Sequence, residues 1–322
     1  MNFQDLRFVE TADTYIDTAF KKSKKRVALF KQGNRDKNDI KRMKTVELIR
    51  IDTFSQSLID NMQKIITSFP SIDNLDEFYL ELIKCTIEYK DLKKSLGAVN
   101  WAGAQVQKFS TIFKRKIKMQ KEEEHVKRVR REYLGRAASI IKQIKRSLIF
   151  LEEARKIMKS YPSIKSKLFT VCIAGFPNVG KSTLLSKMTT STPEINAYPF
   201  TTKSLNVGYI EKNYRKIQMI DTPGTLNRFE KMNDIEKQAY LAIKIVANHI
   251  IYIFDPTEEY PMDDQLKLYS RVKKLGKEIT VYISKTDMVE NVDELKKRFD
   301  EVYTDPKELS KKLYKLNNKI KD

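Results

Sequence analysis

Two glycines, a lysine and a serine within eight residues are a set that could hold a phosphate. The stretch Gly175-Phe176-Pro177-Asn178-Val179-Gly180-Lys181-Ser182 reads G-x-x-x-x-G-K-S. The glycines let the backbone curl so that several N–H groups face one anion. Lys181 can reach the β- and γ-phosphates of a nucleotide, and the Ser182 hydroxyl can hold Mg²⁺. Thr183 is placed to contact the α-phosphate region. Such a match means little without its flanks. Here the apolar run Leu168–Ala174 suits a buried strand, and Ser182–Met188 suits the first turns of a helix whose positive end meets the anion. A chance glycine turn would not carry both flanks.

Three later stretches narrow the chemistry. Asp221-Thr222-Pro223-Gly224 follows the apolar strand pattern Arg215–Ile220. There a carboxylate can approach Mg²⁺, usually through water, and the Gly224 N–H can meet the γ-phosphate. Between the two motifs lies Tyr198-Pro199-Phe200-Thr201-Thr202. A threonine here, Thr202 in preference to Thr201, can complete the Mg²⁺ shell and release it after hydrolysis. The alternative is an ordinary connecting loop. The third stretch is Ser284-Lys285-Thr286-Asp287, after the strand pattern Ile279–Ile283. Asp287 can accept two hydrogen bonds from a guanine edge, a donor pair that adenine lacks. The Lys285 stem can lie along the base. The usual guanine-reading order is Asn-Lys-x-Asp, and Ser284 stands in for the asparagine with a shorter reach.

These residues need a sheet to hold them. From residue 168 onward apolar strands near 168–174, 205–211, 216–221, 249–255 and 279–284 alternate with helical patterns, which predicts a mostly parallel sheet covered by helices. A last helix is predicted from Pro306 to Asp322. Residues 1–165 hold only four glycines and two prolines, and predict long helices. The expected spans are about 10–30, 38–68, 73–95, one or two helices over 98–132, and 134–160. Phe78, Leu82, Cys85 and Tyr89 are expected along one core face, and Trp101 in the core. The fold class expected is therefore an α/β phosphate-loop domain over 165–322, preceded by an all-α helical bundle over 1–164.

The 322 residues carry a net charge of +20. Residues 1–165 hold 36 Lys and Arg against 21 Asp and Glu, so most of the excess lies in the helical half. Lys21, Lys22, Lys24, Lys25 and Arg26 form one cluster, and 13 basic residues fall between Lys114 and Arg146. A solvated helix face is the ordinary meaning of such runs. Over a whole domain, the excess points to a polyanion such as RNA, read by shape. Two separated cysteines, Cys85 and Cys172, argue against a disulfide framework and for a reducing cytoplasm. No membrane-length apolar run and no apolar signal core occur, and a monomer is favoured.

In order and spacing the four motifs resemble those of a GTPase. Gly175–Thr183 (GFPNVGKST) with Tyr198–Thr202 and Asp221–Gly224 resembles the Obg-related GTPases. Tyr198–Gly208 (YPFTTKSLNVG) is closer to the nucleolar GTP-binding protein 1 family. Tyr15–Arg26, Asp76–Ile83 and Tyr133–Met158 are similar to that family's N-terminal helical domain. The resemblance implies a Mg²⁺-dependent GTP/GDP switch in assembly of the large ribosomal subunit, bound to ribosomal RNA of its precursor. It implies Lys181, Thr202 and Gly224 as catalytic. It places Ser182, Thr202 and Asp221 at the metal. The nucleotide is assigned to Gly175, Pro177, Asn178, Val179, Gly180, Lys181, Ser182, Thr183, Asp221, Gly224, Ser284, Lys285 and Asp287. Asn178 matches an asparagine that helps to bind K⁺ in related GTPases; otherwise it braces the loop. The last guanine-contacting loop is not distinct, and Val302–Asp305 is the stretch that could take its place. Thr225 stands where many GTPases have a glutamine that orients the attacking water, so slow intrinsic turnover is expected. Two other readings stay open: a GTPase at a membrane surface or on an acidic protein, and a slow-turnover GTP-binding scaffold.

Overall fold

The computed structural model describes residues 3–33, 39–189, 194–196, 205–212, 215–222, 240–257, 259–289 and 292–319. Two compact units form. One comprises Gln4–Ile72 and Ile87–Lys159; the other comprises Met1–Phe3, Asp73–Thr86 and Ser160–Asp322.

The first unit is helical: α1 (Ala12–Gly33) and α2 (Asp39–Ser68), then, beyond the excursion described below, α4 (Tyr89–Met119), α5 (Glu123–Gln143) and α6 (Lys145–Lys159). On α2 the buried Ile51, Phe54, Leu58, Met62 and Ile65 follow the spacing of one helix face. On α4 the inward column is Leu92, Val99, Val106 and Phe113, each buried. Inside, the Ser55 hydroxyl meets the Tyr133 hydroxyl at 2.6 Å and Ser110 at 3.0 Å, so the buried polar groups satisfy one another. Burial raises the Tyr133 phenol to a pKa of about 12.

The expected helix over 73–95 does not form as one piece. Its first part, α3 (Glu77–Thr86), belongs to the second unit, and a break at Ile87 and Glu88 precedes α4. Phe78 and Leu82 are buried as expected, and Tyr79 and Ile83 join them; Cys85 is exposed and Tyr89 half-buried. The reason is visible at Tyr79. Its hydroxyl donates to the Pro162 carbonyl at 2.9 Å and accepts the Ile164 N–H at 2.8 Å. The Thr86 and Tyr161 hydroxyls meet at 2.5 Å, and Phe3 packs edge-on against both Tyr79 and Tyr161. These contacts hold α3 to the segment that leads into the sheet, so the boundary expected at 164/165 leaves residues 73–86 on the other side. Two other helix limits also move. α4 runs unbroken to Met119, ending where Gln120 and Glu122 turn extended. The helix expected over 134–160 is the end of α5 plus α6, divided at Ile144.

The second unit carries a seven-stranded sheet of order β2-β3-β4-β1-β5-β6-β7. The strands are β1 (Phe169–Ala174), β2 (Glu194–Asn196), β3 (Leu205–Lys212), β4 (Arg215–Asp221), β5 (His249–Phe254), β6 (Glu278–Ile283) and β7 (Val302–Tyr303). β4, β1, β5, β6 and β7 are mutually parallel, whereas β2 and β3 pair antiparallel, so the sheet is mostly parallel. The short β2 and β7 are additions to the five expected strands. β1 and β5 are buried at every position, as strands covered on both faces must be. The last described helix runs Pro306–Lys319.

Candidate nucleotide site

Four parallel strands end at one edge of the sheet. Gly175 follows β1, Asp221 ends β4, Asp255 follows β5 and Ser284 follows β6. In open α/β sheets ligands bind outside these carboxyl ends. The loop after β1 has the backbone its glycines predict. Gly175 has φ +151° and an added Cβ there would sit 2.8 Å from the Ile253 carbonyl oxygen, so no other residue fits. Gly180 has φ +91° and leads into α7 (Lys181–Met188). Asn178 is exposed at the loop tip with φ +59°, between half-buried Pro177 and fully buried Val179. Ser182 and Thr183 are exposed on the first turn of α7.

Lys181 is buried, and its ammonium donates to the Phe176 carbonyl at 2.5 Å, held across the mouth of its own loop. The Ser182 hydroxyl donates to Asp221 Oδ2 at 2.5 Å, and Asn206 donates to the same oxygen at 3.3 Å. Asp221 Oδ1 is buried and accepts no hydrogen bond. Burial is the main reason its carboxyl titrates above the usual range; Ser182, Lys181 and Asn206 oppose it. A buried carboxylate oxygen left over beside a serine hydroxyl is a hard-oxygen donor set, and it fits Mg²⁺. The Thr222 hydroxyl anchors this strand end by donating to the Ile173 carbonyl at 2.7 Å. Thr202 and Gly224, with Thr201 and Thr225, lie outside the described residues.

In the loop after β6, Ser284 is buried, and its N–H and hydroxyl both donate to the Phe254 carbonyl, at 3.0 and 3.2 Å. Its side chain lies beside Gly180, with Cβ 3.6 Å from where a Gly180 Cβ would be. Lys285 adopts φ +50°, and Asp287 is exposed on the short turn Thr286–Met288. The stretch Val302–Asp305 reaches the same edge through β7, but Asp305 accepts the Lys307 N–H at 3.0 Å and so caps the last helix.

Sequence reasoning missed the loop after β5. The Lys285 ammonium lies 2.6 Å from Asp255 Oδ2 and 3.3 Å from Glu259. Burial pushes the Asp255 carboxyl up, but Lys285 and two hydrogen bonds from Thr257 outweigh it and hold it below the usual carboxylate range. Gln265, wholly buried, fixes this loop: its amide donates to the Asp255 and Tyr260 carbonyls, both at 2.9 Å, and its oxygen accepts the Asp255 N–H at 2.9 Å. The Tyr260 ring packs on Phe176 of the phosphate loop at 4.9 Å between centroids. The loop thus braces the phosphate loop at one end and Lys285 at the other. An acid directly after the apolar run His249–Phe254 was the available signal. Asp255→Asn is expected to raise the KM for a guanine nucleotide about tenfold and to change kcat by less than about twofold, since it loosens Lys285 without touching the phosphates. Steady-state kinetics with the purified protein check this, and an unchanged KM would refute the bracing role.

The comparisons with known proteins cover both units. Residues 3–165 match a family model described as NOG1 N-terminal helical domain, and residues 170–285 match one described as 50S ribosome-binding GTPase. An uncharacterized protein of Methanocaldococcus jannaschii is 43% identical over 249 residues, 76% of this chain and 70% of that protein. Nucleolar GTP-binding protein 1 of Candida glabrata is 32% identical over 302 residues, 91% of this chain and 46% of that protein. The same-named protein of Drosophila melanogaster is 31% identical over 294 residues, 89% of this chain and 44% of that protein. The chain thus spans a little under half the length of these two relatives.

Proposed function

Because this chain belongs to the nucleolar GTP-binding protein 1 family, we propose that it binds GTP with Mg²⁺ and hydrolyses it as a switch in large ribosomal subunit assembly. It acts in the cytoplasm, docked on ribosomal RNA through its basic helical unit. The observation that carries the nucleotide part is the pairing of Ser182 with Asp221 beneath the Gly175–Lys181 loop, with Asp221 Oδ1 left without a hydrogen bond. Gly175, Asn178, Gly180 and Lys181 wrap the phosphates. Pro177 and Val179 shape the loop, and Thr183 reaches the α-phosphate. Ser182, Asp221 and Thr202 hold the metal, which when bound neutralises charge on the phosphate oxygens. Thr202 and Gly224 sense the γ-phosphate. Asp287 accepts from the guanine edge, Lys285 lies along the base, and Ser284 keeps that loop against Gly180. With Thr225 after the glycine, water is poorly oriented by the chain alone and turnover is slow. Asn178 would be the residue to hold a K⁺ ion, which would add positive charge at the phosphates.

The RNA part is supported by the charge of the helical half and by the ribosome-binding description of the matched family model. No helix among the described residues is long and apolar enough to cross a membrane. The test uses the full chain, since a fragment beginning at Lys165 would lose Tyr79 and its bonds to the strand-entry segment. GTP turnover is followed with and without Mg²⁺ and K⁺, and binding to large-subunit RNA is followed with GDP and a non-hydrolysable GTP analogue across a salt series. Mg²⁺-dependent turnover with steep, nucleotide-sensitive salt dependence is expected. Absence of turnover in every salt, or indifference to RNA at moderate salt, would remove the corresponding half of the reading.

A further inference from the structure

Pairing in the folded chain sorts the basic residues that sequence counts together. On α5 the charges are largely answered. Lys127 pairs with Glu123, Arg130 with Glu47, Arg131 with Glu124 and Arg136 with Glu132, at 3.1 to 3.7 Å. On α4 Lys114 pairs with Asp52. Lys94, Lys108, Arg115 and Lys118 have no ion pair among the described residues, and the helix holds no acid from Asn100 to Met119.

Their placement follows from helix geometry. The inward column of α4 is Leu92, Val99, Val106 and Phe113. Two residues further on, about 200° around the axis, runs a second column of the same seven-residue spacing: Lys94, Trp101, Lys108 and Arg115, all exposed. Beside it Gly97, Ala104, Thr111 and Lys118 are exposed too. Trp101, expected in the core, is 43% exposed. It is flanked by residues with little or no side chain, and a Cβ added at Gly97 would meet nothing. The result is a row about 30 Å long, of unanswered cations with one flat aromatic between them and a smooth approach on either side.

We propose that this outward face of α4, with Trp101 at its centre, is the surface laid along RNA, and that the denser basic run of α5 is not. The inference rests on the RNA-docking reading above and locates it. Cations at this spacing follow a phosphate backbone, and an exposed indole stacks on an unpaired base whatever its identity. An anionic membrane fits less well. Lys108 and Arg115 alternate with the exposed Trp101, Ile112 and Met119 along this face, whereas a membrane-lying helix needs its apolar groups contiguous.

Trp101 is the only tryptophan in the chain, so its fluorescence reports on this face alone. The probe is an RNA hairpin with an unpaired loop, added to the full chain, to a variant carrying Lys94→Gln, Lys108→Gln, Arg115→Gln and Lys118→Gln, and to one carrying Lys127→Gln, Arg128→Gln, Arg131→Gln and Arg136→Gln. Helical circular dichroism and thermal unfolding serve as the folding control for the helical unit, and GTP turnover as the control for the nucleotide site, since all the substituted residues lie at the surface, Lys127 alone half-buried, and outside that site. The hairpin is expected to quench Trp101 in the unaltered chain and in the α5 variant. The α4 variant is expected to lose about tenfold in affinity and roughly 3 in the slope of log K against log salt. Trp101→Phe should weaken the hairpin more than a fully paired duplex. If RNA binds without changing Trp101 emission, or the α5 variant loses as much as the α4 variant, this assignment fails while RNA docking stands. If nothing binds RNA, or only phosphatidylserine vesicles shift the emission, both fail.

Discussion

Lys181→Met is expected to lower GTP turnover by about 10³-fold and to weaken GTP binding along with it. Methionine keeps the length and apolar stem and removes only the charge, so the phosphate loop keeps its packing. The ammonium is buried and rests on the Phe176 carbonyl at 2.5 Å, positioned across the loop before any phosphate arrives. A preset donor in a dry site stabilises developing charge far more than one in water, and removing such a donor costs about 10²- to 10³-fold. The lost cation also leaves the buried Asp221 carboxylate less well balanced, because Lys181 is among the groups holding its titration down. Single-turnover hydrolysis and equilibrium GTP binding, with circular dichroism to show that the fold is kept, are the measurements. Turnover within tenfold of the unaltered protein would mean that the phosphates lie elsewhere.

Asp287→Ala is expected to cost at least about 10²-fold in GTP affinity and to leave weak ATP binding unchanged. Two hydrogen bonds from a guanine edge to a carboxylate are charge-assisted, each contributing about 1.5–3 kcal/mol. Asp287 is exposed on its turn, so the substitution removes no packing. The loss should therefore appear in base preference and not in stability. Competition binding of GTP, GDP and ATP decides it. An equal drop for all three, or none, would show that the guanine is read by another group. Lys285 then becomes the residue to examine, since Asp255 and Glu259 already hold its ammonium.

What could be read from sequence was what depends on neighbours in the chain. The glycine positions of the phosphate loop were legible because only glycine tolerates φ +151° under the Ile253 carbonyl and suits φ +91° before α7. The buried strands β1 and β5 were legible because a strand covered on both faces must be apolar throughout. Asp221 was legible as a carboxylate at a strand end, and parallel pairing with β1 sets it beside Ser182.

The rest depended on residues far apart in sequence. No local pattern says that Tyr79 will bond the backbone of Pro162 and Ile164, and that distant bond goes with the end of α3 at Thr86 and its grouping with the sheet. Asp255 and Gln265 read as an ordinary acid and amide until the sheet places Lys285 and the phosphate loop on either side of them. Trp101 fits a core by composition, yet the inward column of α4 is complete without it and turns it outward. The same distinction separates the basic clusters. Charge density is a property of the chain, but whether a cation is answered depends on which acids the packing of other helices brings within reach. Chemistry set by adjacent residues was therefore determined by the sequence alone, and the tertiary structure decided which charges are paired among the described residues and which rings face outward.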